Sequence, residues 1–177
     1  MLNPTRYQTF EEQADGSQGA SRLAALRNEL RRRGLDGLIV PRGDEHQGEY
    51  VAPHDDRLAY LAGFTGSAGV IVVTLDSAVI FVDGRYTLQV RDQVDMKAFE
   101  ARNLITEPPS DWLRENVKPG QKIAYDPRLH TPSGVDAYAK AMKDAGGTLV
   151  AVETNPLDSV WSDQPPKPLG KVAIHKL

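Results

Sequence analysis

The sequence predicts an α/β domain built on a mixed β-sheet flanked by helices, and three observations carry that prediction. A helical leucine repeat, Leu23, Leu26 and Leu30, leads into the continuous apolar run Leu38-Ile39-Val40. This is the pattern of a helix followed by a strand buried on both faces. Two β-branched runs, Val70-Ile71-Val72-Val73-Thr74 and Ala78-Val79-Ile80-Phe81-Val82, are separated only by Leu75-Asp76-Ser77, which suits an antiparallel hairpin. From Lys122 to Val152, strand, helix and strand alternate again, as in layered α/β folds.

Taken in order, residues 1–18 are polar and aperiodic and contain Gly16-Ser17-Gln18-Gly19, so a flexible arm is expected. The first helix is predicted from Ser21, as its N-cap, to Gly34. Arg31, Arg32 and Arg33 fall in its last turn, where cations meet the negative end of the helix dipole at a solvated helix end. A second helix is predicted over 55–61, with Asp55 or Asp56 in its first turn, Leu58 and Leu61 three apart, and Gly63 as its stop. After the hairpin, residues 85–94 read as a third helix with Leu88 and Val94 on its apolar side. A strand over 98–104 follows, then a short helix capped by Ser110 that carries Trp112 and Leu113. Beyond the turn Pro119-Gly120, Lys122-Ile123-Ala124-Tyr125-Asp126 reads as a strand. Thr131-Pro132 opens a helix, since proline is tolerated at the first helical position, and Val135, Tyr138 and Met142 carry it to Gly146-Gly147. Residues 148–152 form the last strand.

Residues 19–160 are therefore expected as one domain. From Ser159 onward the composition changes, and Pro165, Pro166 and Pro168 favour an extended, semi-rigid chain. Residues 161–177 are expected to be a proline-rich connector and the start of a next domain, with Val172-Ala173-Ile174 opening a strand. The core is expected from Leu23, Leu26, Leu30, Leu38, Ile39, Val40, Ile71, Val73, Val79 and Phe81.

Composition excludes several classes. A chain of 177 residues with 40% hydrophobic content can bury one or two ordinary cores. A net charge of −3 argues against nucleic-acid binding, which wants clustered excess Lys and Arg. The absence of cysteine removes disulfides, Cys-ligated zinc and a thiol nucleophile, and fits a reducing compartment. No segment approaches the ~20 apolar residues of a membrane helix, and no signal peptide is evident, so a cytoplasmic location is expected.

The chemical signals are sparse. His46, Glu49 and His54 are close in sequence, but the spacing fits no helical metal-binding pair and the intervening Pro53 breaks any helix between them. No metal site is expected. Gly63, Gly66 and Gly69 resemble a phosphate cradle, yet the segment lacks the Lys-Ser/Thr of a P-loop and follows a helix. Tight turning and close backbone approach explain the glycines better. Ser67 has no base assignable beside it. Asp83-Gly84-Arg85-Tyr86 places a cation and a phenol where a strand ends and a helix begins, the usual docking end of an open α/β sheet. The competing reading is that Asp83 caps the helix and Arg85 pairs with it locally. Trp112 and Trp161 read as packing anchors.

Several ordered segments together carry a family resemblance: residues 41–50, Val51-Ala52-Pro53 with Arg57, Gly63-Phe64-Thr65-Gly66-Ser67-Ala68-Gly69, Asp83-Gly84-Arg85-Tyr86 with Gln89, Asp111-Trp112-Leu113, Tyr125-Asp126-Pro127, and Asn155-Pro156-Leu157-Asp158 through Trp161. Over residues 20–169 the chain resembles the N-terminal domain of three-domain Xaa-Pro aminopeptidases, the aminopeptidase P branch of the creatinase/prolidase superfamily. The resemblance implies a creatinase-like N-terminal domain without catalytic residues of its own. It also implies a C-terminal catalytic domain in which two Asp, one His and two Glu hold two divalent metals, usually manganese, that activate water to remove the residue preceding proline. Those ligands would lie beyond Leu177.

The partners so implied are that catalytic domain, a second copy in a homodimer, and a peptide with proline at its second position. In relatives such as creatinase, the loop corresponding to Gly63–Gly69 reaches the neighbouring subunit's substrate. Phe64, Thr65, Arg85, Tyr86 and His46 are therefore the substrate-access or interface candidates, with Gly63–Gly69 and Arg85-Tyr86 expected to form one exposed surface. Two alternatives remain: a binding module like the creatinase-like domain of histone-chaperone subunits, or another creatinase/prolidase-branch hydrolase. The absence of an acidic run weighs against the chaperone, and the closer motif match to aminopeptidase P weighs against creatinase.

Overall fold

The computed structural model describes residues 14–170. Among the described residues, five α-helices and six strands follow in the order α1 (Gly19–Arg33), β1 (Gly37–Pro41), α2 (Arg57–Ala62), β2 (Gly69–Thr74), β3 (Ala78–Val82), α3 (Gln89–Gln93), β4 (Glu100–Asn103), α4 (Pro109–Asn116), β5 (Lys122–Tyr125), α5 (Pro132–Asp144) and β6 (Thr148–Ala151). The strands form one sheet in the order β4-β3-β2-β1-β5-β6. β2 pairs antiparallel with both β1 and β3, whereas β3–β4, β1–β5 and β5–β6 are parallel. Every strand except β2 therefore runs the same way. The expected mixed sheet flanked by helices is observed, including its hairpin.

Strand periodicity divides the apolar side chains between two layers. Leu38, Val40, Ile71, Val73, Ile80 and Val82 point towards α1, α2 and α3, where Leu23, Leu26, Leu30, Leu58, Leu61 and Val90 meet them. Ile39, Val72, Val79 and Phe81 point the other way, towards Trp112 and Leu113 of α4 and Met142 of α5. All ten residues of the expected core are buried. Ile39 lies on a strand paired on both sides and opposite Val72, so Ile39→Ala leaves a cavity that neighbours cannot readily fill. A loss of about 2–5 kcal/mol is expected in chemical denaturation, and a loss below about 0.5 kcal/mol would contradict this placement.

The helix ends differ from expectation in instructive ways. α1 begins two residues before Ser21, with Gln18 as N-cap, and the Ser21 hydroxyl donates to the Gln18 carbonyl from inside the first turn. Its end is as expected: Gly34 adopts φ 66°, the left-handed conformation that glycine adopts most cheaply. The arginine run there is only partly solvated. Arg32 and Arg33 both grip the buried Glu29, at 2.7 and 2.6 Å, holding its carboxyl down at about 2 through the Arg32 hydrogen bonds. Arg33 also donates to the Thr154 carbonyl and the Ser159 hydroxyl.

Leu88 is not on an apolar helix face. A 3-10 turn at Gly84–Tyr86 precedes α3 and shifts the phase, so Val90 and Gln93 face inward while Leu88 is 76% exposed. Ser110 does not cap α4 either, because Pro108 holds the cap position and Pro109 opens the helix, where its missing N–H costs nothing. Thr131 caps α5 as expected, its hydroxyl accepting from the Gly134 N–H.

The proline-rich segment is docked on the domain as far as Lys167. Asn155 and Leu157 are buried, Trp161 stacks on Tyr60 with ring centroids 4.3 Å apart, and Gln164 donates to the His54 carbonyl. At the other end, the Gly16 carbonyl accepts from the Gly19 N–H. The remainder of the expected N-terminal arm, residues 1–13, and the expected strand at Val172-Ala173-Ile174 lie outside the described residues.

Candidate functional site

Because only β2 opposes the others, one end of the sheet collects the C-termini of five strands and the start of β2. The loops 42–56, 63–68, 83–88, 104–108, 126–131 and 152–170 all emerge there. Open α/β sheets commonly present their ligand-facing groups at this end.

At the end of β3, the Asp83 carboxylate accepts from the Arg85 backbone N–H at 2.8 Å, and the Arg85 guanidinium folds back onto it. This is the local pair considered above as the competing reading. The Arg85 hydrogen bonds hold the Asp83 carboxyl below the usual carboxylate range. The Arg85 guanidinium also sits 5.3 Å from the centre of the Tyr86 ring. The Tyr86 hydroxyl and Ser67 Oγ are 2.7 Å apart, joining the 63–69 loop to the end of the 3-10 turn. This hydrogen bond, with Arg85 nearby, keeps the phenol below its usual range. Thr65 is exposed but anchored: its backbone N–H donates to Gln93 Oε1, and Gln93 Nε2 donates back to its hydroxyl at 2.9 Å. Gln93 is a residue that sequence reasoning missed; its one signal was the four-residue spacing from Gln89, which also donates to the Thr65 hydroxyl.

One expectation about this surface needs correction. Phe64 is fully buried, edge-on to Tyr86 at 5.7 Å, so it does not belong to the exposed surface. The glycines explain how it gets inside. A Cβ at Gly66 would collide with the Phe64 ring, one at Gly69 would crowd it at 3.3 Å, and Gly63 has φ 80° with the Gly16 backbone packed against it. The loop is a wrapper around one aromatic ring, as close backbone approach requires. His46 is exposed but lies in the separate 42–50 loop, where the Asp44 carboxylate accepts from the His46 and Gly48 N–H groups. No contact joins it to Arg85 or Tyr86 among the described interactions.

Nor do His46, Glu49 and His54 converge, since His54 Nδ1 is directed at the Pro165 carbonyl at 2.6 Å. Among the described residues, no group of three or more His, Asp or Glu side chains could hold a metal ion. The edge instead offers an exposed cation and two linked hydroxyls, groups suited to orienting a carbonyl or carboxylate.

Beside the 42–50 loop, a cleft of about 120 Å³ is lined by charged side chains including Glu45, Asp55, Arg57, Asp126, Arg128 and Asp158. Arg57 makes a bidentate pair with Asp158, 2.8 Å on each arm, and reaches Asp55 at 3.2 Å. Burial works against the fully enclosed Asp126 carboxylate, yet hydrogen bonds from Arg128 and Asn155 outweigh it and hold Asp126 below the usual range.

Further along this loop, His130 packs between the rings of Tyr125 and Tyr138, and its Nε2 has no hydrogen-bond partner among the described residues. Burial pushes the imidazole from 6.5 down to about 4. A base whose folded pKa lies below its unfolded value stabilises the fold above the unfolded pKa and loses that contribution as pH falls. Between pH 6.5 and 4 the unfolded chain takes up a proton that the folded chain refuses. His130 alone should then remove about 3 kcal/mol of stability across that window. Urea denaturation at pH 7 and 5 should show somewhat more than half of this loss, about 2 kcal/mol, in the native sequence and a flatter dependence in His130→Phe; parallel dependences would contradict it.

The chain's similarities agree with this architecture. A protein of Coccidioides posadasii named "Probable Xaa-Pro aminopeptidase P" is 37% identical over 161 residues, covering 89% of this chain and 26% of that protein. One of the same name from Aspergillus flavus is 36% identical over 177 residues, covering 98% of this chain and 27% of its own length. The chain thus spans about a quarter of the relatives it matches. The crystal structure of X-prolyl aminopeptidase from Caenorhabditis elegans, described as a cytosolic enzyme with a di-nuclear active site, superposes with a TM-score of 0.75 at 31% identity, over 82% of this chain and 26% of that one. The N-terminal domain of the peptidase PepQ from Mycobacterium tuberculosis shares the fold, with a TM-score of 0.61 at 24% identity over 80% of this chain and 98% of that one. Residues 22–159 match the model of the creatinase/prolidase N-terminal domain, and the chain belongs to that family.

Proposed function

We propose that this chain is the non-catalytic N-terminal domain of a metal-dependent Xaa-Pro aminopeptidase, a cytoplasmic homodimer that removes the residue preceding proline. Its role is to support assembly and to shape substrate access. The observation that carries the reading is 37% identity over 89% of the chain to a protein named for that activity. The catalytic metals, manganese in this reading, belong to a separate C-terminal domain. At the C-terminal edge of the sheet, Arg85, Tyr86 and Thr65 supply the groups that face the substrate or the neighbouring subunit, and Phe64 acts indirectly by holding their loop.

The 177-residue chain should release no N-terminal residue from an Xaa-Pro peptide with Mn²⁺ present, whereas the full-length protein should. In the full-length protein, Arg85→Ala should lower kcat/KM on the order of tenfold, the scale of one charge-assisted hydrogen bond. Its exposed local pair adds little to stability, so the melting temperature should stay put. Wild-type kinetics in this variant would remove Arg85 from substrate access, and cleavage by the 177-residue chain would refute the non-catalytic assignment.

A further inference from the structure

Four of the five large apolar side chains exposed among the described residues sit in loops at one end of the sheet. Tyr50 (91% exposed) follows β1, Leu88 follows β3, Ile105 (74%) follows β4, and Leu169 lies at the end of the docked strap; only Met96 lies elsewhere. Leu88 and Ile105 stand in neighbouring loops, since β3 and β4 are adjacent and parallel. Single exposed apolar residues need no explanation, but a group of them at one edge marks an interface.

The strap indicates what covers that edge. Arg33 holds residues 154 and 159, Arg57 holds Asp158, Trp161 lies against Tyr60, and His54 contacts the Pro165 carbonyl. Lys167 then pairs with Glu45 at 3.0 Å. The last of these contacts fall on the 42–56 segment, which also carries Tyr50. The chain therefore does not leave the domain as a loose tether. It is directed along the edge where the apolar residues stand, and relatives carry about three quarters of their length outside the matched region.

Resting on the reading above, we infer that the edge formed by Tyr50, Leu88 and Ile105 is covered in cis, by the polypeptide that follows residue 177 in the intact protein. A second copy of the domain would have no need of a strap that delivers its own chain to this place. Direct delivery also makes the contact intramolecular, so a modest apolar patch suffices without the area a free dimer demands.

Hydroxyl-radical footprinting of the 177-residue chain and of the full-length protein tests this. Tyr50, Leu88 and Ile105 should be oxidised at least threefold more slowly in the full-length protein, equally at low and high protein concentration, while Met96 serves as the unprotected control. Equal rates in the two proteins would overturn the inference, and protection that disappears on dilution would assign the edge to a second copy instead. A Leu88→Glu, Ile105→Glu double variant gives an independent readout. It should lower the melting temperature of the full-length protein and leave that of the 177-residue chain unchanged; equal shifts would count against an interface. Xaa-Pro cleavage is measured on the same full-length preparation, so cleavage without protection defeats only this inference, and protection without cleavage defeats only the proposed activity.

Discussion

Replacing Phe64 with alanine is expected to cost about 3–5 kcal/mol of folding free energy, the range for emptying a fully buried aromatic site. The ring is enclosed by the loop that carries it, with Tyr86 on one side and Leu58 close to the same glycine contact at Gly69. Gly66 and Gly69 have no side chains with which to refill the space, and Gly63 is pinned against Gly16, so collapse into the cavity is restricted. For a domain of this size, such a loss corresponds to a fall in melting temperature of about 10 °C. Calorimetry on the 177-residue chain measures it, and a loss under about 1 kcal/mol would mean the ring is not buried as described. The result matters for function. Any kinetic defect in Phe64→Ala mixes unfolding with substrate access, whereas Arg85→Ala perturbs an exposed group and reads access alone.

The parts legible in the sequence were those governed by local periodicity. The apolar run Leu38-Ile39-Val40 and the β-branched runs around Ile71 and Phe81 each dictate a strand, and the alternation within the hairpin dictates which residue faces which layer. What escaped was decided by partners distant in the chain. Phe64 sits among Gly, Thr and Ser, a composition that reads as exposed loop, and only the glycines on its C-terminal side hinted that something bulky needed room. Leu88 was misplaced because a single 3-10 turn rotates the following helix, and periodicity cannot register a phase shift inside one and a half turns. The docked strap was hidden by its prolines, which signal an extended chain equally well whether it lies on a surface or crosses solvent. Tyr125-Asp126-Pro127 and Asn155-Pro156-Leu157-Asp158 both belonged to the family resemblance, yet nothing local says that Asn155 bonds Asp126 or that Asp158 meets Arg57.

The Arg57–Asp158 pair carries the other large expected effect. Arg57 is 4% exposed at its side chain and pairs with carboxylates 101 and two residues away, so it joins α2 to the strap. Removing one partner of a buried ion pair typically costs about 3–5 kcal/mol, because the other charge stays behind without compensation. In Arg57→Met two acids are stranded, Asp55 and Asp158. Both retain some water, with Asp158 25% exposed, and hydration softens the penalty. The expectation is therefore the lower end of the range, about 3 kcal/mol.

The source of the loss can be separated from the loss of packing. If stranded charge dominates, adding Asp158→Asn to Arg57→Met should recover part of the stability, a non-additivity that a double-mutant cycle reads directly. If the lost fork geometry dominates, Arg57→Lys should be nearly as damaging as Arg57→Met, since lysine cannot supply two parallel donors to one carboxylate. Trp161 reports on the strap itself through its stack on Tyr60. Release of residues 154–167 in Arg57→Met should change its fluorescence before the global transition, while a single coincident transition would show that strap and domain unfold as one unit.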